Sequence, residues 1–67
     1  DTGELAQAVS MVEVVVAWRL EAFGDEHTDY AEALLVMADC LRRLGKFKRA
    51  KDTLKQAYSV FKMIFGD

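Results

Sequence analysis

The chain has 67 residues, of which 52% are hydrophobic and 30% charged, with a net charge of −2, one cysteine and no proline. That length holds one small domain at most, and below about 70–80 residues a single core rarely supplies more than about 3–5 kcal/mol. The acidic balance argues against a nucleic-acid partner, no apolar run approaches the roughly 18–20 residues of a membrane span, and a single cysteine cannot form an internal disulfide.

A lone thiol suits a reducing compartment, so a cytoplasmic location is expected. The chain opens on Asp1 rather than Met and has no basic-then-apolar leader. It reads as a segment excised or processed from a longer chain.

In the first segment Leu5, Ala8, Val12 and Val15 follow helical spacing, and Gly24 ends the run. The triplet Val14-Val15-Val16 favours a strand by propensity. The segment is too long for an ordinary strand, and periodicity outranks propensity, so a helix is predicted. Val9, Val16, Leu20 and Phe23 form a second apolar row. This helix is therefore apolar on two sides.

The next helix is predicted over Asp29–Leu44. Tyr30, Leu34, Met37, Leu41 and Leu44 are spaced 4, 3, 4 and 3 apart, which is helical spacing. Asp29 followed by Glu32 reads as an N-cap with its capping-box partner, and Gly45 stands where a C-terminal cap belongs. From Phe47 the pattern returns through Ala50, Leu54, Ala57, Phe61 and Ile64 until Gly66. Two or three loop residues between these helices make them antiparallel neighbours.

Phe23-Gly24-Asp25 returns as Phe65-Gly66-Asp67, 42 residues later. Laying residues 1–25 over residues 43–67 also matches Gly3 with Gly45 and Ala8 with Ala50, and it pairs Leu5 with Phe47 and Val12 with Leu54. The identities fall where sterics dictate the residue: glycines where the chain turns, and a small side chain where helices approach closely. A period near 40 residues marks a helical solenoid. The chain reads as the second helix of one module (residues 1–24), then a linker and one complete helical hairpin (residues 25–67).

These residues resemble the tetratricopeptide repeat. Leu34 and Met37 stand at its large positions and Ala38 at its small close-contact position. Leu41, Gly45 and Phe47 follow in register, and Ala50, Leu54 and Ala57 complete the second helix. Gly3, Leu5, Ala8 and Val12 echo the second half of a preceding repeat. The 42-residue spacing and the linker residues Gly24, His27, Asp29 and Ala31 are similar to the kinesin-light-chain type, although Asp25 and Thr28 replace its prolines. The stretch from Leu41 to Asp67 also resembles the non-catalytic C-terminal region of SET/MYND lysine methyltransferases.

The resemblance implies an all-α, three-helix piece of an antiparallel solenoid that binds peptides or partner helices in a concave groove. By register the groove residues are Glu32, Leu35, Asp39, Arg42 and Arg43. Relatives that clamp the C-terminal carboxylates of chaperones usually carry Lys and Asn at two of these positions. Here Leu35 and Asp39 stand there, and an acid repels a carboxylate, so that ligand class is not expected.

Other residues invite chemistry and support it poorly. His27 lies among Asp25, Glu26 and Asp29. A His and an Asp two apart, without Cys or a second His, is weak spacing for zinc, and the resemblance implies a linker residue packed between modules. Cys40 is 13 residues from the only histidine, roughly 20 Å along a helix, too far for a base to reach it. A packed, half-buried thiol is expected. Arg42, Arg43, Lys46, Lys48, Arg49 and Lys51 cluster around the turn and read first as a solvated helix end with favourable charge. Trp18, Tyr58 and Phe61 are either packing residues or interface anchors.

No acid–base pair, metal set or phosphate loop is present, so no catalysis and no cofactor are expected. The expected function is protein–protein interaction, through the groove or by self-association. The self-association or inter-module face is Val9, Val12, Val16, Trp18 and Leu20 at one end and Tyr58 and Met63 at the other, since exposed apolar patches mark interaction surfaces. The alternative is a regulatory segment of a larger enzyme of the SET/MYND type.

Overall fold

The computed structural model describes residues 2–66, with side chains from Gly3 onward. Three α-helices follow one another: α1 (Thr2–Phe23), α2 (Thr28–Arg43) and α3 (Phe47–Phe65). Among the described residues there is no strand, and no helix is long and apolar enough to cross a membrane. The valine triplet stays helical, as the periodicity predicts.

The middle helix organises the molecule. Its residues Ala31 and Leu41 are fully enclosed, and it packs against α1 on one side and α3 on the other. At one end of the layer Tyr30, Ala31 and Leu34 meet Ala57 and Val60 of α3, with Val16 of α1 packed against them. At the other end Val9, Leu41 and Ala50 bring all three helices together. Met37 touches both clusters. Alanines at the α2–α3 contact let the two backbones approach, and each buried leucine adds about 1.5–3 kcal/mol of transfer free energy. The buried polar groups are satisfied: the Gln56 amide donates to the Tyr30 hydroxyl at 3.3 Å, and the Thr53 hydroxyl donates to the Arg49 carbonyl at 2.8 Å.

Helix ends explain the short connections. The Gly45 amide donates to Arg42 O at 3.0 Å and the Lys46 amide to Leu41 O at 2.9 Å, the paired bonds of a Schellman motif. Gly45 has φ +82°, a left-handed conformation that costs other L-residues about 1–2 kcal/mol. The chain thus reverses in three residues, and α3 is antiparallel to α2. Gly24 and Gly66 also have positive φ, +83° and +78°, so the 42-residue repeat is present in backbone conformation as well as in sequence. Gly3 departs from it. It lies inside the first turn of α1 rather than in a turn between helices.

The predicted cap of α2 also needs correction. Asp29 is inside the helix, and His27 is its N-cap. His27 has extended backbone (φ −132°, ψ 140°), and its Nδ1 accepts from the Asp29 amide at 3.0 Å. The imidazole therefore does what a shorter cap side chain normally does. Asp29 instead places a carboxylate in the first turn, where the helix dipole favours it.

Candidate interaction surfaces

The linker fixes the angle between α1 and α2. The His27 ring stacks on Phe23 with centroids 4.5 Å apart and planes 20° from parallel. Arg19 reaches across from α1 and donates to the Asp29 carbonyl at 2.9 Å. His27 is thus a packed linker residue whose Nδ1 lone pair is already used. Cys40 is half-buried against the Val9–Leu41–Ala50 cluster.

The five predicted groove residues share one side of α2. Glu32, Arg42 and Arg43 are exposed, while Leu35 and Asp39 are partly covered. Arg42 donates to Asp39 Oδ1 at 2.8 Å, and Arg43 Nε lies 3.1 Å from Oδ2. The Arg42 hydrogen bond, with both guanidinium charges, holds the Asp39 carboxyl below its ordinary range. Two arginines around one aspartate leave that end of the face positive. The expectation that Asp39 repels a carboxylate treats it as a free acid, so that electrostatic ground for excluding carboxylates is removed.

Overlapping this face at Leu35, Asp39 and Arg42, α2 and α3 enclose an open trough of about 330 Å³. Leu35, Ala38, Ala50 and Leu54 form its floor and sides, with Phe47, Arg42 and Lys51 at the rim. Phe47 is 67% exposed. Nothing in the α3 periodicity singles out this trough, but the repeat does. Lys51 stands where the preceding half-repeat has Val9.

The apolar face proposed for α1 divides in two. Val9 is only 6% exposed and sits in the core. Val16 packs on the Tyr30–Leu34 cluster, and Val12 is half-buried. These three lie on the α2 side, which fits the inter-module alternative for them rather than an uncovered self-association surface. Trp18 is 74% exposed, and Leu20, Tyr58 and Met63 are exposed too. The outer stripe of α1 is instead Met11, Val14 and Trp18, the first two at 67% and 64% exposure. The 42-residue shift accounts for it. Met11 and Trp18 correspond to Thr53 and Val60, α3 residues buried in the hairpin, whereas Val14 corresponds to exposed Gln56. The stripe is the face that α3 covers with α2 and that α1 leaves open.

The tetratricopeptide repeat model matches residues 1–63. No curated protein and no solved structure matched the chain. The chain belongs to the tetratricopeptide repeat family, whose members generally mediate protein–protein interaction.

Proposed function

We propose that this chain is a non-catalytic interaction module that takes a partner peptide or helix against the α2 face formed by Glu32, Leu35, Asp39, Arg42 and Arg43. In this reading residues 1–24 are the second helix of a partial repeat and residues 25–67 are the linker and one complete repeat, with the 42-residue spacing of the kinesin-light-chain type. The observation that carries the reading is the Asp39–Arg42–Arg43 cluster. It presents two guanidinium groups, both paired with Asp39, beside half-covered Leu35, a pairing suited to a peptide with one apolar anchor and an adjacent acid. The lone, half-buried thiol of Cys40 fits a cytoplasmic setting.

The test is to pan a displayed random-peptide library against the chain and titrate the enriched peptides by NMR. Shifts should concentrate on α2, and Arg42→Glu with Arg43→Glu should abolish them while the circular dichroism stays helical. Enriched peptides that shift only α1 or α3 would sink the groove assignment.

A second reading is self-association, favoured by the exposed Met11–Val14–Trp18 stripe. The resemblance of the last two helices to SET/MYND enzymes supports the remaining alternative, a regulatory segment of a larger enzyme.

A further inference from the structure

The internal repeat shows what the outer face of α3 is built to do. On α1, Val9 packs in the Leu41 cluster and Val16 on the Leu34 cluster, and half-buried Leu5 and Val12 continue the same helical row. Forty-two residues later the same positions are Phe47, Lys51, Leu54 and Tyr58. On α1 this row is covered by an antiparallel helix. On α3 its counterpart is left open, with Phe47 and Tyr58 exposed and Leu54 lining the trough. One position has changed character: buried Val9 has become exposed Lys51. A helix seated there needs apolar residues with one acid opposite that ammonium.

The outer stripe of α1 has that pattern. Val14 and Trp18 are followed by Glu21, which borders the shallow depression formed by Val15, Trp18 and Ala22. If Glu21 is set opposite Lys51 in an antiparallel pair, Trp18 falls opposite Leu54 and Val14 opposite Tyr58. Each step on one helix matches a step on the other. Among the described residues neither Glu21 nor Lys51 has an ion-pair partner. Ala38 and Ala50 leave room in the trough for an indole. Trp18 is the most exposed large hydrophobic side chain among the described residues and of the type that most often anchors an interface.

Building on the self-association reading, we propose that the chain assembles head to tail with a second copy. The outer stripe of α1 in one copy seats Trp18 in the α2–α3 trough of the next, and Glu21 meets Lys51. Helix faces of this length would bury on the order of 1,000–1,200 Å² in total, the lower edge of specific interfaces. Assembly is therefore weak and concentration-dependent. The two surfaces differ, so the contact is heterologous and extends into short chains or a ring rather than stopping at a two-fold dimer.

Sedimentation equilibrium on wild type, Lys51→Glu, Glu21→Lys and their equimolar mixture tests this, with circular dichroism on each sample. Wild type should gain mass with concentration. Each single reversal sets like charges together and should weaken association by about tenfold or more. Mixing the two variants restores opposite charges at every contact and should restore assembly. A wild type that stays monomeric throughout overturns both this proposal and the self-association reading, and leaves the groove untouched. Assembly that either reversal leaves intact, or that mixing does not restore, overturns the head-to-tail arrangement alone. Should a variant lose helicity, carbodiimide coupling of wild-type chains, half of them ¹⁵N-labelled, decides the matter. A Glu21–Lys51 amide between labelled and unlabelled chains is expected, and its absence overturns the proposal.

Discussion

His27 is tied to Phe23 through its ring face and to Asp29 through Nδ1. One side chain thus closes the end of α1 onto the start of α2. Removing it frees an N-terminal amide of α2 and opens the stack. His27→Ala should cost about 1–2 kcal/mol, the upper part of the range for lost caps. His27→Asn keeps a cap acceptor and loses the ring, so it should recover part of that loss. Urea unfolding of the three proteins, followed by circular dichroism, measures the series. Equal stability of alanine and asparagine variants would show that stacking, rather than capping, carries the effect.

Gly45 separates backbone strain from crowding. A Cβ added there meets no heavy atom within 4 Å, so Gly45→Ala should cost only its left-handed backbone, about 1 kcal/mol. Gly45→Asn should cost less, because asparagine tolerates that conformation better. A thermal melt that puts asparagine below alanine would contradict this account of the turn.

What the sequence makes legible follows from where physics acts locally. Helical periodicity and the turn glycine locate α2, α3 and their reversal within one residue, because those signals depend on neighbours three or four positions away. The cap of α2 is not legible for a related reason. Asp and Glu three apart is a generic cap pattern, whereas a histidine cap depends on Phe23 lying under its ring. The two-sided character of α1 is visible in sequence, but not which row faces inward. Val9 and Trp18 are equally plausible until α2 is set against one side. The structure resolves the ambiguity: Val9 packs against Leu41, while Met11 and Trp18, which align with buried Thr53 and Val60 of α3, stay outside.

Core and stripe should respond differently to truncation. Leu41 is fully enclosed where the three helices meet. Leu41→Ala should lose about 2–5 kcal/mol, comparable to all that a core of this size supplies, so that variant should be largely unfolded at 25 °C. Trp18→Ala removes a larger side chain with little burial. At concentrations where the chain is monomeric it should shift stability by no more than about 0.5 kcal/mol. Denaturation of dilute samples tests both. A large loss for Trp18→Ala in the monomer would mean that the stripe folds inward in solution.

Asp39 makes a small contribution to the acid limb of stability. Its carboxyl is held below the ordinary range, first by the Arg42 hydrogen bond and then by the charges of Arg43 and Arg42. A group whose pKa is lower folded than unfolded binds more protons in the unfolded state. Its contribution is therefore complete above the unfolded value, about 3.9 for aspartate, and disappears as pH falls through the lower folded value. The pair is exposed, so the effect is small and screened by salt. Asp39→Asn should lower the melting temperature slightly at pH 7 and converge with wild type well below pH 3.9. The gap between the two melting curves should narrow as sodium chloride is raised. A gap that persists unchanged into strong acid would show that Asp39 acts by packing rather than by charge.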